Sequence, residues 1–266
     1  MPGPPSARVG TCALCLQQNV GLCLSHLLPR AIYRWLQRSM SGAKNSNPVH
    51  VSASQATTRS FQVSEYLLCP DCEDRLRVGG EDWVIANGYR GTNSSPIRSA
   101  LAAATPVAKL THAAMIDARA VPAIDLQKLI HFGTSVLWRA GACPWRMIDH
   151  TDQISLGPYQ EALRRFLLGQ QAFPEQAVLV ISVSSNPTSQ LGAVFPYSGR
   201  ANGVWQHRFS LPGMAFWLHL GRFRDGIPAL CSVHSGIVLL ASDLDASFER
   251  EMGSLIRTAK PSPALR

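Results

Sequence analysis

Cys12-Ala13-Leu14-Cys15, then Ser25-His26-Leu27-Leu28-Pro29, then Leu68-Cys69-Pro70-Asp71-Cys72-Glu73 carry the readable chemistry of this chain. Each Cys-x-x-Cys pair presents two thiolates from one tight turn. Four sulfurs complete the tetrahedral shell that a structural zinc prefers, so Cys12, Cys15, Cys69 and Cys72 are the expected metal ligands. The separation between the pairs exceeds that of a simple zinc ribbon. A further element is therefore inserted between them, and it holds His26.

Working outward, the chain has 266 residues and a formal net charge of +8. That length allows a sizeable core and one to two domains. The basic balance suits an anionic partner, nucleic acid above all, although a basic surface also serves solubility. The distribution is more telling. No acidic residue precedes Glu65, whereas Arg8, Arg30, Arg34, Arg38, Lys44 and Arg59 all fall in that stretch. Residues 1–6 lack the basic start and apolar core of a secretory signal, and no apolar run is long enough to span a bilayer. Seven cysteines, four of them in two Cys-x-x-Cys pairs, fit a reducing compartment rather than a disulfide framework. A cytoplasmic protein is expected. Cys23, Cys143 and Cys231 are left over and read as buried thiols.

The expected fold class is α+β. A zinc-stabilised module of treble-clef or HNH-like type covers residues 1–90, and 91–99 form a linker or loop. Residues 100–260 make an α+β domain with mostly antiparallel strands and no evident role, and 261–266 a disordered tail. Within the module, residues 20–24 suit a short strand. Pro29 starts a helix over 30–37, with Ile32, Trp35 and Leu36 on one side and Arg30, Arg34 and Arg38 on another. A polar loop over 39–47 and an extended hairpin over 49–62 lead to the second cysteine pair. The helix after Cys72 is expected to stop at Gly79-Gly80, and Glu81-Asp82 to open another. In the second region, helices are expected over 123–140, 159–168 and 246–258. Strands are expected over 176–184, 192–197 and 209–220, with a hairpin-like pair over 230–241.

A histidine followed by two apolar residues and a proline, set between two cysteine pairs, resembles the HNH (ββα-metal) endonuclease superfamily in its zinc-bearing branch. It is similar to bacterial HNH-like proteins patterned Cys-x-x-Cys, Ser-His-x-x-Pro, Leu-Cys-x-x-Cys-Glu. The resemblance covers the first third of the chain. It implies structural zinc on the four cysteines, with His26 as the general base that activates water. It places Glu73 where the family has its metal-binding histidine, a position from which a carboxylate would hold Mg²⁺ or Mn²⁺. It also implies a nucleic-acid partner, DNA more than RNA, held by Arg30, Arg34 and Arg38. Two departures stand out. Ser25 occupies the place of the usual acidic residue, and the Asn expected before the second pair is absent, Gln62 and Ser64 being the nearest polar substitutes.

Plainer roles stand beside each of these. His26 fits a zinc ligand or a partner for a backbone carbonyl. Glu73 fits an ordinary first-turn carboxylate favoured by the helix dipole. The arginine stripe fits a solvated helix face, and the whole module fits a non-catalytic zinc domain that binds nucleic acid or a protein. In the second region, Ser232 or Cys231 with His207, His219, His234 and Asp243 would be needed for a nucleophilic triad, but no Gly-x-Ser-x-Gly elbow accompanies them.

Overall fold

The computed structural model describes residues 8–39, 49–51, 55–58, 62–91, 94–147, 151–186, 192–201, 203–223, 226–244, 246, 249–250, 253 and 260–261. The chain is α+β with mostly antiparallel sheets.

The N-terminal region begins with strand β1 (Arg8–Gly10), the first cysteine turn, and strand β2 (Val20–His26). Helix α1 (Arg30–Ser39) follows, then a short antiparallel pair, β3 (Val49–Val51) and β4 (Gln55–Thr58). Strand β5 (Ser64–Leu68) runs antiparallel to β2, giving a three-stranded sheet ordered β1-β2-β5. Helix α1 forms as the sequence predicts. Ile32, Tyr33, Trp35 and Leu36 are buried while Arg30, Arg34 and Arg38 are exposed, the division a 3.6-residue period imposes. The expected loop over 39–47 lies outside the described residues beyond Ser39.

Helix α2 (Pro70–Leu76) starts at the second cysteine pair. Here the structure departs from expectation. Gly79-Gly80 does not end the helical run: one π-helical turn (Arg77–Glu81) carries it into α3 (Asp82–Gly88). The reason is packing against α5 (Leu126–Ala142), the long helix beneath. A Cβ on Gly79 would lie 2.2 Å from the His131 ring, and one on Gly80 would lie 2.4 Å from the Lys128 carbonyl oxygen. The two glycines let a helix lie against a helix, which a terminal pair would not need to do.

Helix α4 (Pro96–Ala103) takes up part of the expected linker, with Ser95 capping it through a hydrogen bond from Arg98 N. Strands β6 (Ala108–Lys109) and β7 (Ala113–Asp117) precede α5, and β8 (Trp145–Arg146), β9 (Thr151–Asp152) and α6 (Tyr159–Leu167) follow it. Then come β10 (Ala177–Ser184), β11 (Val194–Ala201), β12 (Val204–Leu211), β13 (Met214–Leu220) and β14 (Ile237–Ala241). They build a seven-stranded sheet ordered β11-β12-β13-β10-β14-β7-β6. Within this sheet only β10 and β14 pair in parallel.

The expected hairpin over 230–241 is absent. Ile227–Leu230 is a 3₁₀ turn, and β14 alone is extended, parallel to β10. The end of the chain also differs. Pro261, expected to begin a disordered tail, instead joins Lys260 in a short strand, β15, parallel to Gln55–Ala56 of β4. The expected helix over 246–258 and residues 262–266 lie largely outside the described set. Helix α5 packs on one face of the large sheet, where Phe132 meets Phe216 at 5.5 Å and Phe209 at 6.3 Å between ring centroids. One contiguous apolar core runs from Cys12 in the N-terminal region to Val238 in the large sheet. No helix among the described residues is long and apolar enough to cross a membrane.

Candidate metal centre and the His26 site

The first cysteine turn is built by its own backbone. Cys12 N donates to Gln17 O and Leu16 N to Cys12 O, both at 2.9 Å, and Leu16 takes a left-handed φ of 64° to close the loop. The turn is fixed to β5 by Ala13 N donating to Leu67 O at 3.0 Å. Cys69 is the N-cap of α2, with Pro70 behind it in the first turn, where a missing N–H costs nothing. Cys72 falls one turn along, so a turn and a helix start deliver two sulfurs each.

These four sulfurs lie within 4.8 Å of one another. Cys15 Sγ and Cys69 Sγ are 3.8 Å apart. A tetrahedral zinc with Zn–S bonds of about 2.3 Å sets its sulfurs about 3.8 Å apart, so the cluster is compatible with structural zinc. Electrostatics point the same way. Burial raises the Cys12 thiol, but backbone N–H groups of Cys69, Cys15 and Leu14 more than offset it and bring the pKa down to about 7. The Cys69 N–H lies 3.3 Å from that sulfur. Burial pushes Cys69 and Cys72 up and Cys12 adds to both, while hydrogen bonds from Cys72 pull Cys69 the other way. Four thiolates this close repel one another, so a cation is what lets the set ionise together. Arg164 of α6, paired with Glu161 at 2.7 Å, donates to the Leu14 carbonyl in the first turn and clamps it from outside. Cys23 stays outside the cluster, its thiol raised by burial and by Glu73 and Cys12.

His26 ends β2 opposite Ser64. Burial holds its imidazole below the ordinary histidine value; a hydrogen bond with the Gln62 side chain pulls upward, Arg30 downward, and Glu73 and Glu81 upward. His26, Gln62, Arg30, Glu73 and Glu81 therefore share one electrostatic neighbourhood. Gln62, a substitute the sequence offered for the missing Asn, is the ring's partner. Glu81 and Arg139 are the residues that sequence reasoning missed. Arg139 of α5 is 2% exposed, donating to the His26 carbonyl at 2.9 Å and pairing with Glu81 at 3.3 Å. The π-turn that carries Glu81 to this place left only Gly79-Gly80 as its signal. Ser25 is buried, with no partner for its hydroxyl among the described residues.

Among the described residues, the four cysteines form the one group of three or more His, Cys, Asp or Glu ligand atoms at metal-binding distance. His26, Glu73 and Glu81 are neighbours without being drawn into such a set. A cleft of about 670 Å³ opens between α2, α5 and α6, lined by Asp71, Asp74, Lys128 and His131, and neither His26 nor Glu73 lines it. The remote triad does not assemble. Ser232 Oγ is spent on the backbone, accepting from Ile181 N at 3.1 Å and donating to Ile237 O at 2.6 Å. His207, wholly buried and lowered to about 4 by that burial, has its Nδ1 2.7 Å from Ser198 Oγ instead.

No protein-family model matches the chain, and no curated protein or solved structure is found to be similar to it.

Proposed function

We propose that residues 1–90 form a zinc-bearing treble-clef module of HNH type, and that the protein acts on nucleic acid by divalent-cation-dependent phosphodiester hydrolysis. The observation that carries this reading is the surround of His26. A half-buried imidazole kept neutral by burial, hydrogen-bonded to Gln62 and flanked by Glu73, Glu81 and Arg30, has what a general base for water needs. Zinc on the four cysteines would pin the turn, β2 and α2 together, and so hold that imidazole in place. His26 would take a proton from water as its oxygen attacks phosphorus, and the P–O bond to the departing alkoxide would break. Glu73 and Glu81 would supply hard oxygen atoms to Mg²⁺ or Mn²⁺, whose charge offsets that developing on the phosphate. The exposed stripe of Arg30, Arg34 and Arg38 would hold the backbone.

A nicking assay on supercoiled plasmid with Mg²⁺ or Mn²⁺ tests this directly. Removing a general base costs about 10²- to 10⁴-fold in rate, so His26→Ala should lose cleavage by that order while keeping its zinc. Cleavage unchanged by the substitution would remove the mechanism.

A second reading, a zinc domain that binds nucleic acid without cutting it, is favoured by one specific feature. Glu81 is already engaged by the buried Arg139, and a carboxylate so paired is a poorer cation ligand. Under that reading, nucleic acid binds with a steep salt dependence and His26→Ala changes nothing but stability.

A further inference from the structure

The second region has its own unexplained charge pattern. Residues 176–224 contain no Asp or Glu, yet hold four arginines, of which Arg208 lies in β12. Most of this stretch is β10 to β13, the outer part of the large sheet, with β11 as its terminal strand. Helix α5 covers the face bearing Phe209 and Phe216. On the opposite face, register sets Tyr197, Arg208, Trp217 and Val180 side by side across four strands. The next row is Gly199, Gln206, His219 and Val178.

The first row is a stacked array. The Arg208 guanidinium carbon lies 4.5 Å from the Tyr197 ring centroid and 5.1 Å from that of Trp217. Tyr197, Arg208, Trp217 and Gln206 are all half-buried rather than covered, and Gly199 is exposed. A Cβ built on Gly199 meets nothing within 4 Å, so space stands open beside Gln206. His219, 7% exposed, stacks on Trp217, and its Nδ1 has no hydrogen-bond partner among the described residues. Toward β14 the same face is closed by Ile227, Leu230 and Cys231.

We propose that this open face of β11–β13 is a binding platform for single-stranded nucleic acid. The inference rests on the preceding reading only for the kind of polymer, since it concerns a different part of the chain and needs no cleavage. A guanidinium laid on aromatic faces is a planar cation that attracts phosphate. Aromatic rings on a half-wet sheet offer surfaces on which unpaired bases stack, whereas a duplex keeps its base faces inside. Residues 176–224, which supply these strands, set no carboxylate against the phosphates.

Gly199 provides a test that spares the fold, because a side chain there enters open space. Binding of fluorescein-labelled 20-mers of dT and U is measured by anisotropy in the zinc-loaded chain carrying His26→Ala, the substitution that the proposed mechanism requires to lose cleavage. A duplex of equal length is the comparison. The platform predicts at least tenfold tighter binding of the single strands, weakened tenfold or more by Gly199→Glu and tightened by Gly199→Lys. Arg208→Lys, which keeps the charge but loses the planar stack, should weaken binding severalfold. The same charge change at exposed Val107, Val107→Glu, should leave binding within twofold. Equal binding by the wild type and Gly199→Glu overturns the proposal, as does a Gly199→Glu loss of equal size for duplex. A shift in self-association on size exclusion with no change in oligonucleotide affinity also overturns it and assigns the face to protein contact. Because His26 is substituted throughout, a failed nicking assay leaves this result standing, and a failed platform leaves the nicking result standing.

Discussion

The cysteine cluster and the His26 site are joined by a single strand, β2, yet they are assembled in different ways. The four sulfurs reach mutual ligand distance through local devices, namely a self-bonded turn and the start of a helix. His26 is placed by partners that are remote in sequence: Gln62 beside β5, Glu81 on a π-turn, and Arg139 from the last turn of the long helix. The first arrangement needs the spacing within each pair and the β2–β5 pairing that brings the pairs together. The second needs the tertiary fold, and its carboxylates remain near the ring without forming a ligand set. A metal centre of this kind can support a fold by itself, whereas the His26 site exists only once both halves of the chain have packed.

The contrast is most severely tested by removing metal. Binding of structural zinc is worth about 10–16 kcal/mol in small zinc domains at neutral pH, much of it folding free energy. Chelation, or Cys72→Ser, should therefore release the order of β1, β2 and α2. The large sheet, whose core is Phe132, Phe209 and Phe216, should keep its structure. Hydrogen exchange read separately on the two regions checks this, and uniform loss of protection across both would erase the distinction. Next in size is Arg139→Ala. It strands Glu81 and leaves the His26 carbonyl without its donor, and breaking a buried pair costs about 3–5 kcal/mol. Urea unfolding should show that loss while zinc content stays at its wild-type level.

These two experiments also mark what the sequence could and could not reveal. The sulfur cluster was legible because Cys-x-x-Cys spacing is a local property. Helix α1 was legible because apolar and arginine positions alternate at helical period. The fate of Gly79-Gly80 was not. A glycine pair reads as a stop unless one knows that Lys128 and His131 press against it. Glu81 and Arg139 escaped for the same reason, since neither sits in a motif and only packing brings them to His26. The strand order of the large sheet, with β14 inserted parallel beside β10, likewise depends on contacts that residue patterns do not encode.

Smaller effects sharpen the comparison further. Gly80→Ala drives a methyl group into the α5 backbone, where overpacking costs about 1–3 kcal/mol. Its destabilisation in urea should come with altered chemical shifts at His26, through the displaced Glu81, and with unchanged zinc affinity. The smallest effect is one of pH. His26 has its folded pKa held below the ordinary value of 6.5, so the unfolded chain takes up the proton first as pH falls. Its contribution to stability is complete above that value and declines as pH drops from there through the lowered folded pKa. Comparing urea midpoints at pH 7.5 and at pH 5.5, zinc-saturated, should give a smaller drop for His26→Gln than for wild type.

The account stands most directly on the metal shell itself. Metal analysis with X-ray absorption at the zinc edge on the purified full-length chain should find one zinc per chain, bound by four sulfurs at about 2.3 Å and no nitrogen. A shell containing imidazole nitrogen, or a fully folded N-terminal region with no metal at all, would contradict it.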